Sequence, residues 1–253
     1  AGLIYIYSLF RSGALIIALS AVSLVIPFSL MKSNYYINDR SKNFIAYDYG
    51  KNVLKSLSKD AVFFALEDTP LYQLVYLKVV ENQRPDVTVC DENGTVFRTI
   101  FKPGEKGIMY KQPLRKRTDE YLQSCLKSGR PLYHTLESGL SLNKDIKSEA
   151  VGLVYKVKGT GQEINPDLLW NSYEMRGVED LGIYKDIFVR DMLARYYLFK
   201  AEYFFNKSDR SSADAEIKKC AALSYDMDWV HHEIALVYSD RGMPGDAMKE
   251  FEI

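Results

Sequence analysis

Three acids in AVFFALEDTPLYQLVYLKVVENQRPDVTVCD (residues 61–91) stand where chemistry could be done: Glu67, Asp68 and Asp91. Each follows a short apolar run, AVFFAL or VTVC. Carboxylates gathered at one point could hold a hard cation or accept hydrogen bonds from sugar hydroxyls. The structural alternative is equally physical. Acids ahead of a helix favour its positive end, and Asp91-Glu92-Asn93-Gly94 is ordinary turn chemistry. The three residues are therefore carried as ligand-binding candidates, and no catalytic residue is assigned. No His base, Cys nucleophile, GxGxxG loop or P-loop stands beside them. His134, in PLYHTL, lacks a nameable partner and reads as structural. Cys90, Cys125 and Cys220 form no CxxC pair and keep no ligand spacing with His134, His231 or His232. Neither a metal site nor a disulfide framework is expected.

The elements that must position these acids can be read from periodicity. Phe44, Tyr47, Val53, Leu54 and Leu57 recur mostly at three- and four-residue spacing, predicting an amphipathic helix. AVFFAL is a strand. Thr69-Pro70 reads as N-cap and first helical residue, opening a helix to about Asn82 that Pro85 closes. VTVC (87–90) is a second strand. Helix, strand, helix, strand predicts a parallel pair with a right-handed crossover. Ligands of such units bind beyond the strands' C-terminal ends, and adjacent strands lie about 4.8 Å apart. Downstream, KPGEKG (102–107) is a loop, GRPLYHTLESGL (129–140) a strand and turn, and GLVYKVKG (152–159) a further strand.

Residues 12–31, SGALIIALSAVSLVIPFSLM, carry no charge and lie between Arg11 and Lys32. At about 1.5 Å per residue they span about 30 Å, the bilayer core. A transmembrane helix is expected, with Pro27 as a tolerated kink. A signal peptide would be shorter and end in a small-residue site. Lys32, Arg40 and Lys42 outnumber Arg11, so charge alone points the following domain to the cytoplasm. The chain begins at alanine and ends in MKEFEI within an amphipathic pattern, so it reads as a piece of a longer protein.

From Asp186 the chain reads as helical and repeats. Ala201, Phe204, Ala213 and Ile217 match Ala235, Tyr238, Ala247 and Phe251 at an offset of 34, with Gly242 turning the second copy and Ser208 at the equivalent place in the first. This spacing resembles the tetratricopeptide repeat. Such arrays bind peptides or partner proteins, and packing alone is the other reading. Lys+Arg and Asp+Glu are 33 each, which argues against nucleic acid as a partner.

Taken together, AYDYGKNVLKSL, AVFFALEDTPLYQLVYLKVVENQRPDVTV and EAVGLVYKVKG followed by helical repeats resemble the C-terminal portion of a polytopic membrane protein family. That family is similar to GT-C glycosyltransferases and related to the O-mannosyltransferases that act on plexin-type domains. The most specific pieces are Tyr76-Leu77 with Glu81, Arg84-Pro85-Asp86-Val87 and Gly152-Leu153-Val154-Tyr155. The resemblance implies a polyprenyl-phosphate sugar donor used by the parent, a protein or peptide acceptor, and residues 33–253 on the extracytoplasmic side. It implies no cofactor in this chain and catalytic acids upstream of it, so none is carried over. Leu66-Glu67-Asp68-Thr69-Pro70 stands where a Gly-Asp-rich loop is expected.

The expected class is α+β or α/β: the end of a membrane domain (1–32), a small extracytoplasmic α/β domain (33–160) and truncated tetratricopeptide-like hairpins (161–253). Two functions compete. One is an accessory or acceptor-binding part of a lipid-linked-sugar glycosyltransferase, itself without transferase activity. The other is a membrane-anchored protein-binding module.

Overall fold

The computed structural model describes residues 13–65, 68–91, 94, 96–97, 111–135 and 146–252. It separates into two compact units: Ala1–Asn43 with Glu179–Tyr184, and Phe44–Val178 with Lys185–Ile253.

In the first unit, helix α1 runs Gly13–Asn38. It extends past the apolar run, which ends at Met31, by a further seven residues to Asn38. Side-chain amides of Asn34 and Asn38 donate to the carbonyls four residues back, Leu30 and Asn34. From Ile16 to Asn38 the helix is long and apolar enough to cross a membrane, and its apolar side chains are not covered by protein. The segment Glu179–Tyr184 belongs to this unit.

The second unit is α+β. Its elements are α2 (Ile45–Ser56), β1 (Val62–Ala65), α3 (Asp68–Val75) continued by a π-turn (Tyr76–Val80), and β2 (Thr88–Asp91). Then come α4 (Lys111–Ser128), β3 (Leu132–His134), β4 (Ser148–Val151) and β5 (Val154–Val157). Last are α5 (Pro166–Asn171), α6 (Ile187–Asn206), α7 (Arg210–Leu223), α8 (Asp228–Asp240) and α9 (Pro244–Phe251). The sheet order is β2-β1-β3-β5-β4. β1 pairs in parallel with β2 and β3, so the expected parallel pair is present and one strand wider. β5 runs antiparallel to β3 and β4.

Alternation along the strands sorts the core. Val62, Phe64, Cys90, Leu132 and Val157 pack with Leu122 and Cys125 of α4. Phe63 and Tyr133 point the other way, and the Tyr133 hydroxyl donates to Ser58 Oγ just beyond α2 (3.1 Å). The three cysteines are buried thiols, none of them in a disulfide.

Three sequence expectations need correction. Helix α3 begins at Asp68, so Thr69 lies inside the first turn and its hydroxyl donates to Asp191 Oδ2 of α6 (2.7 Å) rather than capping α3. Helix α4 occupies the β2–β3 crossover, for which the sequence predicts only the loop 102–107; that loop lies outside the described residues. GLVYKVKG is not one strand: Gly152-Leu153 is a two-residue turn joining β4 to β5. Gly152 has φ +62°, and Leu153 is not in the left-handed region. That combination is the type II′ hairpin, which takes glycine at its first central position.

The Arg84-Pro85-Asp86 motif is also explained. Arg84 donates to the carbonyls of Leu54, Leu57 and Ser58, ending α2 where backbone acceptors lack helical partners. Asp86 fixes the guanidinium at 2.7 Å. Arg84's hydrogen bonds hold the Asp86 carboxyl at about 2.

Helices α6/α7 and α8/α9 form two antiparallel hairpins whose turns repeat at the 34-residue offset. Asp209 N–H donates to Phe204 O (3.0 Å) and Met243 N–H to Tyr238 O (2.9 Å). Ser208 (φ +59°) and Gly242 (φ +70°) share the left-handed conformation. Ala201, Ala213, Ala235 and Ala247 are buried, as are Ile217 and Tyr238. Phe204 is partly buried, whereas Phe251 is 52% exposed and leans on His232, so it does not fill the inter-helix gap as Ile217 does. A buried ion cluster joins the hairpins to α3: Asp191 accepts from Thr69 and Trp229, and Arg195 bridges Asp191 to Glu233.

Candidate functional site

The acids that opened the sequence reading are only partly placed. Glu67 lies outside the described residues. Asp68 opens α3, and its side chain is likewise outside them. Asp91 ends β2, fully buried and opposite Ala65 of β1. Its Oδ2 accepts Val96 N–H (2.7 Å) and its carbonyl accepts Gly94 N–H (3.0 Å), so it organises the turn after its own strand. Among the described residues no three His, Cys, Asp or Glu side chains gather as a metal site.

His134 is buried with both ring nitrogens engaged: Nδ1 with Thr135 O (2.8 Å) and Nε2 with Ser148 Oγ (2.7 Å). A carbonyl only accepts, so Nδ1 carries the proton and the serine hydroxyl donates to Nε2. Burial pushes the ring down to about 4. This is a neutral structural histidine, as its sequence setting predicts.

The site the structure offers lies elsewhere. A groove of about 810 Å³ runs between the β4–β5 hairpin, α5 and α6, within the size range of small-ligand sites. NPDLLWN builds one wall. Asn165 Oδ1 caps α5 by accepting from Asp167 N–H and Leu168 N–H, and Pro166 takes the first helical position. That start sets Asp167 and Trp170 on the groove. From α6 come Phe199, Tyr203 and Lys207, and from the hairpin Glu149 and Lys158.

The aromatic side is braced from behind. Trp170 meets Tyr173 and Tyr196 edge-on at 5.0 and 5.5 Å and tilts against Tyr203 at 5.7 Å, geometries that aromatic quadrupoles favour. The polar side is a three-group cluster. Asp167 Oδ1 accepts from the Tyr203 hydroxyl (2.7 Å) and Lys207 Nζ (2.9 Å), and Lys207 also donates to the Tyr203 oxygen (2.9 Å). Hydrogen bonding from Lys207, then Tyr203, lowers the Asp167 carboxyl. Hydrogen bonding to Tyr203, then Asp167, raises the Lys207 ammonium. Both stay charged at neutral pH, and Asp167 Oδ2 has no partner among the described residues.

Such a wall suits a ligand with one apolar face and several hydroxyls. The ring faces cover the apolar side, while Oδ2 and Nζ offer an acceptor and a donor at its edge. Sequence reading missed it because Asp167 and Lys207 stand 40 residues apart and meet only when α5 docks on α6. The available signals were the capped NPDLLWN start and Trp170, one of two tryptophans in the chain. No protein-family model matches this chain, and no solved structure matches it either.

Proposed function

We propose that this chain is the extracytoplasmic C-terminal part of a membrane glycosyltransferase that uses a lipid-linked sugar donor, and that it holds the glycosylated or glycosylatable acceptor rather than performing transfer. The observation that carries this reading is the groove: a braced tryptophan beside a charged Asp167–Tyr203–Lys207 cluster. The apolar helix α1 agrees with membrane attachment, and the resemblance of the sequence supplies the sugar-transfer context and the extracytoplasmic side.

The test is a titration of the whole chain in phospholipid nanodiscs with mannose-containing oligosaccharides and glycopeptides, read by Trp170 emission in a Trp229→Phe background. A saturable change, lost in Asp167→Ala and Lys207→Ala, is expected. No change up to tens of millimolar, or sugar transfer from a polyprenyl-phosphate donor by this chain alone, would overturn the reading.

The 34-residue geometric repeat of the two hairpins favours a second reading, a membrane-anchored tetratricopeptide-type module that binds a protein. Peptide binding lost on Tyr225→Ala and kept on Trp170→Ala would select it over the groove. Tyr225 is 70% exposed between the hairpins, so its removal leaves the core intact.

A further inference from the structure

The first unit holds more than a helix. Segment Glu179–Tyr184 is docked on the C-terminal end of α1. Tyr36 Oη donates to Leu181 O (3.2 Å), and Arg40 Nη1 donates to Tyr184 O (3.0 Å). The Tyr36 and Tyr184 rings meet edge-on at 5.9 Å, and the Arg40 guanidinium lies 5.6 Å from the centre of the Tyr184 ring. Asp180 Oδ1 accepts Gly182 N–H (2.7 Å) and closes the turn. At its tip Leu181 is 89% exposed, while Ile183 two residues on is buried. A closed, anchored turn that hides one apolar residue and thrusts the other outward gives that residue a use.

We infer that Leu181 is a second membrane contact, set into the headgroup layer beside α1. The inference rests on the reading that α1 crosses a bilayer. The last apolar residue before the first charge is Met31, and Tyr36 lies five residues further, about 7.5 Å along the axis. The headgroup layer on each face is about 5–8 Å thick. Helical side chains lean toward the N-terminus, so the Tyr36 hydroxyl reaches back toward the bilayer, and it is this hydroxyl that holds the Leu181 carbonyl. Tyr35 and Tyr36, both exposed on α1, are the residue type that settles at this depth. Glu179 and Asp180 immediately precede Leu181 and keep the contact shallow, since carboxylates resist the acyl region. The partner is the interfacial layer of a lipid bilayer.

The test places an environment-sensitive nitrobenzoxadiazole dye at Leu181→Cys in the whole chain, in phosphatidylcholine vesicles with nitroxides on the headgroup or mid-acyl chain. Cys90, Cys125 and Cys220 are buried and do not compete for label. Headgroup nitroxides are expected to quench at least twofold more than mid-chain ones, and iodide less than it quenches free dye. Adding Tyr36→Phe and Arg40→Gln should halve the headgroup quenching or more. Lipid quenching absent at Leu181→Cys, with iodide access equal to free dye, would overturn the proposal, as would quenching indifferent to the two added substitutions. A second label at Leu24→Cys separates the readings. Mid-chain quenching there with none at 181 defeats this contact alone, whereas no lipid quenching at either position removes the membrane helix on which it rests.

Discussion

At the residue scale, two positions show why particular side chains are required. A Cβ at Gly152 would fall 1.9 Å from Tyr173 Oη, 2.6 Å from Ser56 Oγ and 2.8 Å from Leu169 Cδ2, on a backbone with φ +62°. The same atoms form a buried network in which Ser56 Oγ meets Tyr173 Oη (2.6 Å) and accepts Leu153 N–H (3.2 Å). Gly152→Ala thus adds left-handed strain of about 1–2 kcal/mol to overpacking of about 1–3 kcal/mol. Gly159 has φ +78° with open space around its Cβ, so Gly159→Ala isolates the strain alone. Urea unfolding in micelles, followed by Trp170 and Trp229, should show the Gly152 variant losing clearly more; equal losses would refute the packing account. Arg84 is the second position. It satisfies three carbonyls at once, and Arg84→Ala should cost about 2–4 kcal/mol on the same assay. Arg84→Lys should recover less than half, because a point ammonium cannot reproduce the planar fork.

At the scale of elements, legibility followed locality. The β1–α3–β2 unit could be read because hydrophobic runs and a proline punctuate it within 30 residues. The hairpins could be read because two copies at one offset reinforce each other. Helix α4 is hard to read because KQPLRKRTDEYLQSCLKS is mostly polar; among its described side chains, Leu122 and Cys125 in the last turns are buried in the core. β4 escaped because Ser148-Glu149-Ala150-Val151 has no strand-like run of its own and gains its partner only through the Gly152 turn. The repeat also makes a prediction at this scale. Ser208 occupies a left-handed position that Gly242 fills in the second copy. Ser208→Gly should therefore stabilise the chain by roughly 1 kcal/mol, and Gly242→Ala should destabilise it by a similar amount. Changes of the same sign in both variants would mean that the two turns are not equivalent.

At the scale of the whole second unit, the sheet and the hairpins are tied by a buried polar chain that no local pattern encodes. Ser148 bonds His134, whose ring stacks on Tyr155 at 5.6 Å. The Tyr155 hydroxyl donates to Glu202 Oε1, and Glu202 Oε2 lies 3.7 Å from Arg241. The candidate groove was invisible in the sequence for the same reason, since its walls come from β4, α5 and α6. This chain gives stability a divided pH dependence. Burial depresses His134 to about 4 from an ordinary value of 6.5. The unfolded chain therefore takes up a proton there first, and this contribution is complete above pH 6.5 and lost as pH falls toward 4. The full loss is roughly 3 kcal/mol at 1.36 kcal/mol per unit. Burial moves Glu202 the opposite way, above its ordinary 4.5. Its contribution is complete below pH 4.5 and lost as pH rises through the elevated native value. From pH 4.5 upward the two oppose each other for as long as the pH stays below both 6.5 and the raised Glu202 value, so over that span the wild-type curve is flatter than either group alone would make it. Substitution by glutamine separates them. Glu202→Gln should expose the acid-side loss and His134→Gln the loss on raising pH, both read as unfolding free energy from pH 4 to 8. Two variant curves parallel to the wild type would show that neither group titrates between the folded and unfolded states, and that the chain joining sheet to hairpin is electrostatically silent.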